Sequence, residues 1–153
     1  MTIEDRIKEL GYVLPPAPPV GGHYHMSVTC GNLLFISGQL PCRSDGSIII
    51  GCVGDDMTVE EGYEAAKQTA LTMLATIRAE IGSLDKVKRL VKALGMVNCK
   101  PGFTQQPQVI NGFSETMATV FGEQNGKGAR SAVGMILPRG MAIEVEAIFE
   151  IEA

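Results

Sequence analysis

Ala129-Arg-Ser-Ala-Val-Gly-Met-Ile-Leu-Pro-Arg-Gly-Met-Ala-Ile-Glu-Val-Glu-Ala-Ile-Phe-Glu-Ile-Glu152 closes the chain and decides its fold class. From Ile143 the side chains alternate. Ile143, Val145, Ala147, Phe149 and Ile151 point one way, while Glu144, Glu146, Glu150 and Glu152 point the other, with only Ile148 out of pattern. Alternation of period two over this length specifies a strand with one face in a core. Pro138-Arg139-Gly140 supplies a reversal before it, proline setting φ and glycine tolerating positive φ. The stretch from Ala129 then reads as the first arm of a hairpin. In that hairpin Arg130 falls opposite a residue near Ile148. Glu144 lies about four residues along the partner strand, ~13 Å away at ~3.4 Å per residue.

Working back from this hairpin, Lys86 to Cys99 is a further strand. Leu90, Leu94 and Met96 take one parity, and Val87, Val91, Ala93, Val97 and Cys99 the other. Apolar residues on both faces indicate an interior strand, or one whose outer face another subunit covers. Pro101-Gly102 ends it. Pro107 opens a helix whose buried stripe is Val109 or Ile110, Phe113, Met117 and Val120 or Phe121. Gly122 to Gly128 reads as a flexible loop. Upstream, Thr58-Val-Glu-Glu61 is a capping box, and Val59, Tyr63, Ala66, Ala70, Met73 or Leu74, Ile77 and Ile81 share one helical face as far as Gly82. That helix is ~35 Å long at 1.5 Å per residue.

The N-terminal third carries a second hairpin, Tyr24 to Cys30 and Leu33 to Ser37, turned at Gly31-Asn32. Asp45-Gly46 marks another turn, followed by a short buried strand from Ser47 to Ile50. Thr2-Ile-Glu-Asp5 caps a first helix with Ile3, Ile7 and Leu10 at helical spacing, and Gly11 stops it. Leu14 to Pro19 is too proline-rich for a helix and reads as an extended arm lying across the body. The expected fold is therefore α+β: a two-layer sandwich with two main helices on one face of a mixed sheet. It forms a single domain over residues 1–153, with an N-terminal helix and Pro-rich arm over residues 1–20. The helix-free face carries Glu144, Glu146, Ile148, Leu90, Leu94 and Met96, a mixture that marks an interface.

Composition narrows the function classes. Hydrophobic residues make up 45% of 153 and charged residues 20%, as in an ordinary globular domain. No apolar run approaches the ~18 residues of a membrane span, and Thr2 to Arg6 lacks a signal-peptide core, so a cytoplasmic location is expected. A net charge of −4 argues against a phosphate-backbone binder. Lys86-Val-Lys-Arg89, the densest basic cluster, reads as a solvated strand end. Cys30, Cys42, Cys52 and Cys99 show no C-x-x-C pairing and read as free thiols. His23-x-His25 lacks the further ligands of a zinc site, and no glycine run has the context of a phosphate loop, so neither metal nor cofactor is expected.

Ala129-Arg130-Ser131, Leu137-Pro138-Arg139 and Ile143-Glu144-Val145-Glu146-Ala147, in this order, resemble the C-terminal signature of the Rid (YjgF) family. Tyr24, Gly31-Asn32 and Ser37-Gly38-Gln39 extend the resemblance to the N-terminal half. The family contains enamine/imine deaminases, many of them labelled endoribonuclease L-PSP. The resemblance implies a fold similar to chorismate mutase of the Bacillus type, and a homotrimer. The arm through Pro19 is absent from the typical short deaminases, so the chain looks like a divergent branch.

Arg130 is the first candidate for chemistry. A guanidinium at the start of an otherwise apolar strand can hold a carboxylate through two parallel hydrogen bonds. The competing reading is a structural ion pair with a C-terminal glutamate. The resemblance implies that Arg130 holds the substrate carboxylate and that Glu144 positions the hydrolytic water. It implies a pocket built with Tyr24, Ser37, Gly38, Asn111 and Ala132. Many deaminases of the family carry cysteine where this chain has Ala132, which excludes a covalent thiol step there. The expected reaction is hydrolysis of a small 2-imino or enamine acid to a 2-keto acid and ammonia, at a site shared between subunits. Glu144 serves best there with its pKa raised by partial burial. The rivals are a trimeric binder of small carboxylates without turnover and an endoribonuclease. The acidic balance and the lack of stacking aromatics near Arg130 count against RNA.

Overall fold

A computed structural model describes residues 1–152. Its framework is a five-stranded mixed sheet of β1 (Ser27–Cys30), β2 (Leu33–Gln39), β3 (Val87–Asn98), β4 (Ala129–Met135) and β5 (Ile143–Ile151), in the order β1-β2-β5-β3-β4. Helices α2 (Val59–Ile81) and α3 (Gln106–Phe121) cover one face, and α1 (Ile3–Glu9) packs beside α3. The two-layer α+β sandwich is present.

Local sequence accounts for most element ends. The Thr58 side chain accepts from the Glu61 N–H while the Glu61 carboxylate accepts from the Thr58 N–H, and Gly82 closes α2 at φ 88°. The same reciprocal cap, Thr2 with Asp5, starts α1. Ile143, Val145, Ala147, Phe149 and Ile151 of β5 are all buried against α2 and α3, as their alternation requires. The two helices come close because Gly112 has no side chain: a Cβ there would lie 2.0 Å from the Tyr63 carbonyl oxygen.

The C-terminal hairpin does not form. β4 and β5 flank β3 on opposite sides, β4 parallel to it and β5 antiparallel. β3, α3 and β4 make a crossover unit, and residues 136–142 carry the chain across the end of β3 to its other edge. Leu137 and Met141 in that crossing segment pack over Met96, and the Asn98 N–H donates to the Ala142 carbonyl. The reason lies in β3, whose two apolar faces and two open edges call for an interior position. β4, mostly exposed, suits an edge. The reversal at Pro138–Gly140 is real, but it turns the crossing segment rather than closing a hairpin.

Bulges in β3 near Val87 and Leu90 turn Leu90 toward the helices, paired with Phe149, so it is not on the helix-free face. Met96 is on that face but already covered by Leu137 and Met141. β1 begins at Ser27 rather than Tyr24. Ser47–Ile50 contributes only isolated bridges, Cys42 to Ile48 and Ile50 to Met141, and Ile50 is exposed. The segment 122–128 contains one helical turn, Glu123–Gly126. The hairpin at Gly31-Asn32 forms as expected, Cys30 pairing with Leu33.

Candidate functional site

Arg130 stands on the edge strand with its side chain toward the helices. Its register partner is Ala93, which in turn pairs with Ala147 on β5, both buried on the helix side of the sheet. The expected pairing with a residue near Ile148 therefore fails by one whole strand. α3 presents Asn111 and Ser114 one turn apart on the face toward β4. The Arg130 guanidinium donates from Nη1 to Asn111 Oδ1 at 2.8 Å and to Ser114 Oγ at 3.2 Å. Both partners are neutral, and Arg130 makes no ion pair among the described residues. The structural ion pair with a C-terminal glutamate is thus absent; of those glutamates, Glu150 pairs with Arg89 at 2.6 Å.

A cleft of about 410 Å³ opens beside this guanidinium, lined by Asn111, Ser114, Glu115, Lys127, Ala129 and Arg130 among others. Glu115 on its rim accepts a hydrogen bond from the Tyr63 hydroxyl, which holds that phenol's pKa up at about 12. Ala132 lies two residues beyond Arg130 on the same face, half-buried. Ser114 was not singled out from the sequence. Its i, i+3 spacing from Asn111 is the signal that could have found it.

Glu144 points the other way. Its register partner is Met96 on the helix-free face. A Cβ at Gly38 would lie 2.1 Å from Glu144 Oε2, so the carboxylate rests directly on the bare backbone of β2 where its pairing with β5 shifts. Burial, then the neighbouring Glu146, pushes the Glu144 carboxyl above the ordinary range. Tyr24, Ser37, Gly38, Leu40, Arg139, Met141, Glu144 and Glu146 line a cleft of about 670 Å³ on this side. Tyr24, half exposed, accepts from the Gly21 N–H through its hydroxyl at 3.2 Å, and Ser37 Oγ donates to the His25 carbonyl at 2.7 Å.

The site residues thus fall into two sets. Arg130, Asn111 and Ala132 are together on the helix face, and Tyr24, Ser37, Gly38 and Glu144 are together on the open face. Within one chain the sheet separates them. The open face also keeps apolar residues in reach of solvent: Val28 and Phe35 at 52% and 39% exposure, with Ile148 and Leu94 beside Phe35 in a shallow cleft. Among the described residues no helix is long and apolar enough to cross a membrane.

A family profile described as "YjgF/chorismate_mutase-like, putative endoribonuclease" matches residues 4–142. Protein TCP17 of Trypanosoma cruzi is 42% identical over 146 residues, covering 95% of this chain and 91% of that protein. A solved structure from Shewanella oneidensis MR-1, described as "a putative endoribonuclease", superposes with a TM-score of 0.93 at 27% identity, over 99% of this chain and 100% of that one. RidA from the Antarctic bacterium Psychrobacter sp. PAMC 21119 superposes with a TM-score of 0.59 at 25% identity, over 88% and 94%.

Proposed function

The chain belongs to the YjgF/chorismate mutase-like family, and from that premise we propose that it hydrolyses small 2-imino and enamine acids to 2-keto acids and ammonia. The observation that carries the reading is the Arg130 guanidinium, aimed by two neutral partners and left without a carboxylate of its own. A cation kept oriented but unneutralised beside a cleft is a receptor for an anion. A substrate carboxylate fits its fork.

The chemistry follows from the second set of residues. Water adds to the C=N carbon, Glu144 taking its proton. Glu144 returns that proton to the nitrogen, and the carbinolamine then passes its hydroxyl proton through the same carboxylate to the amine as the C=O bond forms and ammonia leaves. A carboxyl whose pKa is raised by burial is the stronger base for taking the water proton, and once protonated it is the neutral acid that can hand that proton to the nitrogen. Ala132 cannot form a thioester-like adduct. It offers only backbone groups, and half of those on an edge strand are unpaired.

Arg130 and Glu144 can meet one substrate only across two copies, because a sheet stands between them in one. The reading therefore includes a homotrimer joined through the helix-free faces, with Phe35, Ile148 and Leu94 covered and each site built from two neighbours. A cytoplasmic location belongs to the same reading. A binder of carboxylates without turnover needs the same arginine. The solved structure described as "a putative endoribonuclease" raises a third activity. The net charge of −4 weighs against RNA.

The deciding experiment is ammonia release from imino acids generated in situ by an amino-acid oxidase, in wild type and Arg130→Ala. Faster release with wild type than with the variant or no protein supports hydrolysis. No acceleration, with keto-acid binding retained, makes the protein a binder.

A further inference from the structure

We propose that Arg139 is a second anion-binding residue of this site, selecting imino acids that bear a second carboxylate on the side chain; the inference rests on the reading of Arg130 and Glu144 given above. Arg139 lines the open-face cleft together with Tyr24, Gly38 and Glu144. It makes no ion pair among the described residues, although Glu144 and Glu146 line the same cleft. Its charge is therefore not spent within the chain.

The backbone at Arg139 adds an independent observation. With φ 58° and ψ 13° it is the single non-glycine residue at positive φ among those described. Left-handed backbone is unfavourable for a side chain with a Cβ and is tolerated best by glycine and asparagine. The turn is fixed from both sides. The Gly140 N–H donates to the Leu137 carbonyl and the Met141 N–H to the Pro138 carbonyl, both at 3.2 Å, and Leu137 and Met141 are buried on Met96. A long cation held in an unfavourable conformation on a pinned turn, at the rim of a cleft, fits a functional position better than a passive one.

Charge then defines the ligand. Glu144 and Glu146 would repel a second carboxylate entering this cleft unless a cation faced it, and Arg139 supplies that cation. A dicarboxylic imino acid places its 1-carboxylate on Arg130 of one copy and its distal carboxylate on Arg139 of the neighbour. The C=N carbon is then held between them, next to Glu144. A monocarboxylic substrate would leave Arg139 without a partner.

The test is calorimetric binding of two stable keto acids, 2-oxoglutarate and 2-oxobutyrate, to wild type, Arg139→Asn, Arg139→Lys and Arg130→Ala. Asparagine removes the charge while tolerating the left-handed backbone, and lysine keeps the charge. Wild type is expected to bind 2-oxoglutarate at least about tenfold more tightly, the worth of one charge-assisted contact. Arg139→Asn should lose that preference by weakening 2-oxoglutarate alone, and Arg139→Lys should keep part of it. Arg130→Ala should lose both ligands. Equal affinities in wild type, or an undiminished preference in Arg139→Asn, would overturn the role of Arg139 and leave that of Arg130 standing. Retention of both acids by Arg130→Ala would overturn the reading of Arg130, and this inference with it.

Discussion

Arg130 and Glu144 are carried by one sheet and open onto its opposite faces. Arg130 pairs with Ala93 and Glu144 with Met96, and these two positions on β3 are three residues apart with no bulge between them. An odd offset along a strand reverses the face. The guanidinium and the carboxylate are thus one strand and three residues apart, with the sheet between them, so a small ligand cannot touch both within one chain.

The proposed function, set against this separation, predicts sites shared between copies of the chain. Mixing Arg130→Ala chains with Glu144→Gln chains should restore ammonia release that neither parent shows, because some junctions then combine an intact Arg130 with an intact Glu144. Light scattering of wild type should give a mass close to three times 16.3 kDa. No recovery after proven subunit exchange, or a mass of one chain, refutes the arrangement.

Ser114 is a positioning residue for Arg130. Ser114→Ala removes one of two hydrogen bonds that aim the guanidinium. The expected effect is a rise in KM of about fivefold, equivalent to ~1 kcal/mol, with kcat and thermal midpoint little changed. A fall in the midpoint with unchanged KM would mean that Ser114 serves only the packing of α3.

The raised Glu144 carboxyl has consequences for both stability and rate. Its folded pKa lies above its unfolded value, so the native state holds the proton more tightly. The stability this contributes is fully present below the ordinary glutamate range, near 4.5, and is lost as pH rises through the raised value. Denaturation of wild type relative to Glu144→Gln should therefore become easier as pH climbs above that range. The acid limb of kcat/KM should also sit above it, and Glu146→Gln should move that limb down by removing the second cause of the shift. An acid limb unaffected by Glu146→Gln would assign it to another group.

Gly38 separates site from fold. Its φ is not positive, so alanine fits the backbone, and the atoms a Cβ would meet belong to the Glu144 side chain. Gly38→Ala should displace that carboxylate and lower kcat/KM by about tenfold or more, the range of a mispositioned acid–base group. The thermal midpoint should change by only a few degrees. Activity equal to wild type would exclude Glu144 from the proton transfers in its present place.

The sequence by itself determined the elements and their buried sides. The Thr2 and Thr58 caps, the stop at Gly82, the turn at Gly31-Asn32 and the alternation of Ile143 to Ile151 are local events. Each is set by backbone dihedrals and by hydrogen bonds within a few residues. The family resemblance brought Arg130, Glu144, Tyr24 and Asn111 into view, and the structure gathers these into two groups rather than one. What only the tertiary structure decided is which strands are neighbours. Alternation reports that a strand has an apolar face and says nothing of the partner at its edge. A tight turn at Pro138 was as compatible with a hairpin as with a segment crossing β3. The choice fell to β3, whose edges and faces had to be covered by β4, β5, α3 and the Leu137–Met141 crossing together. Parity counted along β3 failed at Leu90 for a related reason, since a bulge adds one residue and turns the next to the other face. The neutral partners of Arg130 and the two separate clefts depend on that arrangement, because they join residues from strands and helices far apart in the chain.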